Sequence, residues 1–252
     1  MSEADEPLAE PLAAPAEPVL CPHCAKPDSL CVCESVAPVD NRVALLILQH
    51  PQEQDRLLGT ARLALRALKN AQLKIGLSWP SLGKVLGREA DPAQWAILHL
   101  GAAHAKDLPK DRELIVLDKN GAPLPDQDRA LAGLKGVVIF DGSWAQAKTL
   151  WWRNPWVLKA RRLALNPQRA SLYGKLRREP RREALSTIEA AGLALSRIEG
   201  RPEIESALRK SFSAMLEKYR AALASGAVSP PAPARKGRPP RRRVKKSAPP
   251  AA

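Results

Sequence analysis

Short apolar runs alternate along this chain with longer segments in which apolar residues recur every three or four positions. The short runs show no alternation of apolar and polar residues, so we predict strands that are buried on both faces. The longer segments have the spacing of amphipathic helices. The predicted strands are 43–48, 72–78, 94–100, 113–118 and 136–141. The predicted helices are 57–70, 143–154, 182–200 and 203–224.

The interleaving of buried strands with helices predicts an α/β fold built on a parallel sheet. The last two predicted strands each end in an aspartate, Asp118 and Asp141. The last predicted helix carries one apolar stripe, which we assign to the hydrophobic core. The stripe consists of Ile204, Leu208, Phe212, Met215 and Tyr219.

The two ends of the chain differ from its middle in composition. Residues 1–19 are acidic and rich in proline and alanine, and residues 226–252 are basic and rich in proline, so we predict that both are disordered. The remaining residues, 20–225, are expected to form one domain that begins with a cysteine-rich knuckle at 20–35. No apolar run reaches the roughly 18 residues of a membrane-spanning helix, and the first residues do not resemble a signal peptide. We therefore expect a cytoplasmic protein with no membrane partner.

The charge of the chain is strongly positive, with a formal net charge of +14. Residues 1–20 carry five acids and no base, and residues 226–252 carry eight bases and no acid, so the region between them is basic in its own right. Such a field favours a polyanionic partner, most simply a nucleic acid. A solvated basic surface without a partner is the alternative.

All four cysteines lie close together, in the spacing C-x2-C-x6-C-x-C: Cys21, Cys24, Cys31 and Cys33. Thiols stay reduced in the cytosol, and four of them in a short segment can close a tetrahedron around Zn²⁺. With no open position, such a zinc site is structural. An iron–sulfur cluster and metal-free thiols remain alternatives. A metal knuckle before an α/β domain often contacts RNA.

The segment that follows the strand 136–141 combines an acid, a glycine, a hydroxyl and a large aromatic: Asp141, Gly142, Ser143 and Trp144. Ligands of open parallel sheets bind beyond the carboxyl ends of the strands, where Asp141 is expected to lie. Ser143 has the position of a helix N-cap. The alternative is that Asp141 and Ser143 only cap the helix and that Trp144 packs in the core.

Further polar residues cluster in three other segments. His50, Glu53 and Arg62 follow the first predicted strand, and Ser186 with Glu189 forms a predicted capping box. The segment 171–180 carries residues suited to holding phosphates: Tyr173, Lys175, Arg177 and Arg178. The chain has no Walker A, G-x-G-x-x-G or H-E-x-x-H motif, which argues against nucleotide hydrolysis, dinucleotide redox chemistry and zincin chemistry.

These segments, in this order, resemble the DTW-domain family. The matching blocks are the four cysteines, "LQHPQE" with "GTARLA", "GLSW", "VVIFDGSWAQAK", "SLYGKLRREP" and "LSTIEA". The resemblance implies a SPOUT-like, knotted fold and a tRNA-uridine aminocarboxypropyltransferase. Such an enzyme moves the 3-amino-3-carboxypropyl group of S-adenosylmethionine to N3 of a tRNA uridine and releases methylthioadenosine. The motif's threonine is replaced here by Ser143, which keeps a hydroxyl.

The resemblance also implies roles for residues. Asp141 would be a base, would orient the uracil or would bind the amino group of the donor, and Ser143 and Trp144 would complete the catalytic set. The implied donor-binding residues are Leu117, Asp118, Phe140, Gly142, Ser186, Thr187 and Ile188. The implied RNA-binding residues are Arg62, Tyr173, Lys175, Arg177 and Arg178.

Two other functions fit part of the same pattern. A SPOUT-type RNA methyltransferase would share the fold and the donor, and a non-catalytic zinc-knuckle RNA-binding protein would explain the charge and the cysteines. Because many knotted relatives dimerise, a homodimer is one arrangement that the resemblance implies.

Overall fold

A computed structural model describes residues 19–98, 108–109, 111–174, 176 and 185–229. Nearly all of the two tails that the sequence predicts, 1–19 and 226–252, lies outside the described residues. No helix in the described ranges is both long enough and apolar enough to cross a bilayer.

A six-stranded sheet forms the centre of the molecule, in the order β2-β1-β5-β3-β6-β4. The strands are β1 (Ala44–Gln49), β2 (Ala71–Ile75), β3 (Trp95–Leu98), β4 (Leu114–Leu117), β5 (Gly136–Asp141) and β6 (Arg161–Leu165). The sequence predicted five of them within a few residues. It missed β6, because this strand begins with two arginines and offers only a short apolar run.

The prediction of a parallel sheet is correct for five strands and wrong for β4. The register pairs β1 with β2, β1 with β5, β3 with β5 and β3 with β6 in parallel, whereas β4 runs antiparallel to β6 at the edge of the sheet. An antiparallel edge strand on a parallel sheet is a common arrangement. Burial could not reveal the direction, because all four residues of β4 are buried, like those of the parallel strand β1.

Helices cover both faces of the sheet. Their bounds are α1 (Ala61–Ala67), α2 (Leu82–Leu86), α3 (Gln127–Leu131), α4 (Trp144–Arg153), α5 (Thr187–Glu199) and α6 (Pro202–Ala224). One core joins alternate residues of β1 and β5 to α1, α5 and α6, and includes the whole predicted stripe of α6. The other core joins the remaining residues of these strands to α2 and α4. The five-residue helices α2 and α3 were not predicted.

The cysteine-rich knuckle packs on the same body. Leu30, Val32 and Val36 belong to the core that contains α5 and α6. The ammonium group of Lys218 on α6 donates to the backbone carbonyl of Cys31. The knuckle and the sheet therefore share one hydrophobic core, so a change in the knuckle is expected to affect the stability of the whole domain.

Candidate functional site

Asp141 lies where the carboxyl ends of two neighbouring strands meet. The register places it opposite Gln49, the last residue of β1. The Gln49 side-chain amide donates to Asp141 Oδ2 over 2.7 Å. The Thr187 hydroxyl donates to Asp141 Oδ1. Both carboxylate oxygens thus accept hydrogen bonds from neutral side chains, which fixes the orientation of the acid at this edge of the sheet.

The start of α4 follows directly. Ser143 is the N-cap: its hydroxyl accepts from the backbone N–H of Gln146, and the Gln146 side chain accepts from the N–H of Ser143 over 2.6 Å. A Cβ at Gly142 would lie 3.0 Å from Cβ of Gln146 and 3.5 Å from Cβ of His50. The glycine therefore allows close packing within the protein. Trp144 is 41% exposed, so the alternative that it packs in the core is wrong.

The start of α5 supplies the other side of the site. Ser186 is its N-cap, with its hydroxyl and backbone N–H both directed at the Glu189 carboxylate, as the sequence predicted. Ile188 is buried, and its N–H donates to the hydroxyl of Thr60 over 3.2 Å. Of the three predicted residues 186–188, only Thr187 contacts Asp141 with its side chain among the described residues.

The buried carboxylate of Glu189 joins two of the sequence blocks. It accepts from the hydroxyl of Ser171 over 2.6 Å and from the backbone N–H of Leu172 over 2.8 Å. It also forms an ion pair of 3.3 Å with Arg209 on α6. Glu189 therefore fixes the start of the segment 171–174 against the start of α5, in addition to capping the helix.

Two buried polar atoms on β1 and α1, the elements next to Asp141 and the start of α5, have no hydrogen-bond partner among the described residues. They are Oε1 of Gln49, which is an acceptor, and Nε of Arg62, which is a donor. Arg62 lies in the first turn of α1, two residues after Thr60, which contacts the start of α5. A buried polar atom without a partner costs free energy. These atoms therefore fit a ligand that offers both a donor and an acceptor.

Leu117 and Asp118 lie at the opposite end of the strands from Asp141, on the side of the sheet where the parallel strands begin. Because β4 is antiparallel to β6, its carboxyl end lies where β5 begins. There the Asp118 carboxylate accepts from the backbone N–H groups of Asn120 and Ala122, at 2.8 and 2.9 Å, and organises a turn. The structure thus does not bring these two predicted donor-binding residues together with Asp141.

Two of the predicted residues, Phe140 and Tyr173, have side chains that lie away from the Asp141 cluster. Phe140 is buried on the face covered by α4, with its ring 6.2 Å from that of Trp151. Tyr173 is only 2% exposed, its hydroxyl donates to the Leu58 carbonyl and its ring packs edge-on against Phe212. That is an interior position, not the surface that the predicted RNA contact requires. The predicted RNA contacts Lys175, Arg177 and Arg178 lie outside the described residues.

Gln49 was not assigned a role from the sequence. The signal that could have found it is a single amide at the end of a fully apolar strand, directly before His50. In a parallel sheet such a residue lies level with the strand-end acid of the neighbouring strand. The pairing of β1 with β5, which the sequence does not state, is what places Gln49 beside Asp141.

The four cysteines form a separate site in the knuckle. Their sulfur atoms all lie within 4.8 Å of one another, and those of Cys21 and Cys33 are 3.9 Å apart. Zinc–sulfur bonds of about 2.3 Å in a tetrahedron require sulfur atoms about 3.8 Å apart. The hydrogen bond from the backbone N–H of Cys24, with a weaker one from His23, lowers the pKa of Cys21 to about 7. The donor set therefore fits a structural Zn²⁺ ion.

Comparison with known proteins identifies the family of the chain. The model of the DTW domain matches residues 18–220. A protein of Macaca fascicularis named tRNA-uridine aminocarboxypropyltransferase 2 is 28% identical over 85% of this chain and 70% of its own length. Proteins of the same name from Mus musculus and Drosophila melanogaster are 28% and 29% identical, over 77% and 82% of this chain and 61% and 76% of their own lengths. No solved structure matches significantly. Since the domain match covers most of the sequence, the chain belongs to the DTW-domain family.

Proposed function

We propose that this protein transfers an aminocarboxypropyl group to a uridine of tRNA, the activity for which its three relatives are named. The structural observation that carries the proposal is the Asp141 carboxylate, held by Gln49 and Thr187 at the carboxyl ends of two adjacent strands. This is where an open parallel sheet binds its ligand. The basic charge of the chain suits a nucleic-acid substrate.

In its finer form, the proposal has S-adenosylmethionine as the donor, N3 of the uracil as the acceptor and methylthioadenosine as the product. The donor supplies an amino-acid arm whose carbon–sulfur bond breaks as the carbon–nitrogen bond forms. Transfer of this arm, and not of the methyl group, requires the protein to hold the arm in line with the acceptor nitrogen, about 3–3.5 Å away. The knotted SPOUT arrangement stays part of this proposal.

Recognition of the amino-acid arm is the task that the two unpartnered atoms fit. Oε1 of Gln49 would accept a hydrogen bond from an ammonium group, and Nε of Arg62 would donate to a carboxylate. Arg62 was predicted to hold tRNA, but a buried Nε suits a bound small molecule better than a phosphate on the surface. The methyl group of the donor offers neither a donor nor an acceptor, so these contacts select the arm.

Asp141 is proposed to position the reacting groups. Its two oxygens already accept from Gln49 and Thr187, so it is oriented for a further donor such as the ammonium group of the arm. Trp144, exposed at the first turn of α4, would stack on the uracil or on the adenine of the donor. The hydroxyl of Ser143 serves the helix cap.

One incubation separates this proposal from its alternatives. The purified protein is incubated with tRNA and S-adenosylmethionine that is labelled in the methyl group or, separately, in the carboxypropyl group. The proposal expects only the carboxypropyl label in the tRNA, at N3 of a uridine by nucleoside mass analysis. The methyl label alone would identify a methyltransferase, and neither label would indicate a binding protein without catalysis.

Substitution of the two strand-end aspartates tests the site. Asp141→Ala is expected to lower the rate of transfer by about 100- to 10,000-fold, the range for loss of one positioned catalytic group. Its circular dichroism and zinc content should equal those of the parent. Asp118→Ala decides the sequence prediction for that residue: a similar loss of transfer in a folded variant would support a donor-binding role, and an unchanged rate would exclude it. Parental activity in Asp141→Ala would refute the site.

We also propose that the four cysteines bind one structural Zn²⁺ ion. Since Leu30 and Val32 of the knuckle lie in the main core, removal of the metal by a chelator should lower the unfolding temperature of the whole domain. Cys33→Ser should have the same effect and should lack bound zinc by elemental analysis. An unchanged unfolding temperature would show that the cluster is not structural. Reduced thiolates of this kind favour a reducing compartment such as the cytoplasm.

A further inference from the structure

Helix α4 presents an aromatic and basic stripe to solvent. Trp144, Lys148 and Trp152 are spaced four residues apart, so they lie on one face of the helix, and the two rings are separated by a rise of about 12 Å. Trp152 is 73% exposed and Trp144 is 41% exposed. Exposed aromatic side chains aligned on one helix face are a feature of interaction surfaces. We call this set the α4 stripe.

The sequence segment that contains the α4 stripe is rich in basic residues. Between residues 142 and 178 the chain has nine lysines and arginines and no aspartate or glutamate. Three of these bases, Lys148, Arg153 and Lys159, are exposed on α4 and on the turn that follows it. A surface that combines exposed indoles with exposed basic side chains is complementary to an anionic partner that has flat rings.

The α4 stripe is held on a rigid support. Ala147 and Leu150 anchor the opposite face of the helix in the core. At its end the fully buried Asn154 donates to the carbonyls of Leu77 and Leu150 and accepts from the backbone N–H of Trp79. Trp152 is therefore exposed on a helix whose position is fixed by these contacts. Such preorganisation reduces the entropy that binding has to overcome.

We propose that the α4 stripe docks unpaired nucleotides of the tRNA next to the modified uridine. The proposal deepens the proposed function and rests on it for the identity of the nucleic acid. Trp152 stacks on a base, and Lys148 contacts a phosphate. Stacked bases are about 3.4 Å apart along a strand, so a rise of about 12 Å spans a few nucleotides. The base on Trp152 thus lies a few nucleotides from the uridine at the Trp144 end of the stripe.

Trp152→Ala tests the stacking contact. Loss of one base–aromatic stack is expected to weaken tRNA binding by about 10-fold or more, measured by filter binding. The loss should appear in KM for tRNA, with kcat retained at saturating tRNA. Trp152→Phe should recover most of the affinity, because it restores an aromatic face. Parental affinity in Trp152→Ala would overturn the proposal.

The salt dependence of binding tests the phosphate contact. Lys148→Ala should reduce the slope of log Kd against log salt by about one, the effect of losing one phosphate contact. Lys210→Ala is the matched control, since it removes an exposed lysine from α6, outside the stripe, and should leave the slope unchanged. Equal slopes for both variants and the parent would overturn the phosphate contact.

Failure of this proposal is distinguishable from failure of the proposed function. If label is transferred normally and Trp152→Ala binds tRNA like the parent, the α4 stripe is not a docking surface, although the enzyme assignment stands. If tRNA binding depends on Trp152 but no carboxypropyl label is incorporated, the surface stands and the reaction is different. If Trp152→Ala changed the molar mass of the protein by light scattering and kept the parental tRNA affinity, the α4 stripe would be a contact between copies of the chain, which would overturn the proposal.

Discussion

The starts of α4 and α5 are built from the same local device and have different surroundings. Each has a serine N-cap and a capping-box partner three residues later, Gln146 in α4 and Glu189 in α5. The α4 box is largely exposed and uses a neutral amide. The α5 box is buried and its carboxylate also holds Ser171, Leu172 and Arg209. A capping motif thus identifies a helix start but not the structural demand placed on it.

The two helix starts have different roles because their surroundings differ. The start of α5 fixes the relative positions of three segments and directs Thr187 at Asp141. The start of α4 carries Trp144 outward, where it is accessible to a substrate. One helix start therefore acts as a structural support, and the other presents side chains. The predictions below test this difference.

The largest effect is expected for the capping-box partners. Glu189→Ala removes a buried carboxylate. It leaves Arg209 and four donors of Ser171, Leu172 and Ser186 without their acceptor, so the free energy of unfolding should fall by about 3–5 kcal/mol. Gln146→Ala at the equivalent position of α4 removes two neutral, exposed hydrogen bonds, to the backbone N–H of Ser143 and to the Gln52 side chain, which together should contribute about 1 kcal/mol. Urea unfolding followed by circular dichroism measures both. Equal losses would show that the two helix starts are equivalent.

The next effect concerns the contact between α5 and Asp141. Thr187→Val keeps the shape of the side chain and removes the hydroxyl that donates to the carboxylate. Hydrogen bonds to charged groups contribute about 1.5–3 kcal/mol, so the rate of transfer should fall by roughly 10- to 100-fold. Thr187→Ser should retain most of the activity.

The same substitution on α4 is the control. The hydroxyl of Thr149 donates to the carbonyl of Ala145 within the helix, and Thr149→Val should leave the rate of transfer unchanged. If Thr187→Val transferred at the parental rate, Asp141 would not depend on α5 for its orientation.

Local features of the fold were predictable from the sequence because their causes are local. The strand β5, the N-caps Ser143 and Ser186 and the cysteine cluster follow from short runs of residues. The apolar period of α6 predicted its buried face correctly. Each of these signals lies within a few residues of the feature that it predicts.

The composition of the site was less predictable, because it depends on which strands are neighbours. Asp118 and Asp141 each come at the end of an apolar run. Only the antiparallel direction of β4 puts them at opposite ends of the sheet's strands. Gln49 joins Asp141 because β1 and β5 pair in register. Tyr173 is in the interior because the core extends between Leu58 and Phe212, which are distant in sequence.

The smallest effect is expected for the N-cap of α4 itself. Ser143→Ala should lower the free energy of unfolding by about 1 kcal/mol, the usual contribution of a side-chain cap. Ser143→Thr, which restores the residue of the family motif, should change it by less than about 0.5 kcal/mol, because the hydroxyl is kept and the exposed position has room for a methyl group.

Thermal unfolding is measured for the parent, Ser143→Ala and Ser143→Thr, with Ser186→Ala as the buried counterpart. The comparison decides whether the exposure of the cap sets the loss of stability. Ser186→Ala should cost more than Ser143→Ala, since it also removes the hydroxyl that donates to Glu189. If Ser143→Ala were the more destabilising substitution, the start of α4 would contribute more to the stability of the domain than its exposed capping box explains. Equal unfolding temperatures for serine and threonine at position 143 would mean that the motif needs a capping hydroxyl and not a particular residue.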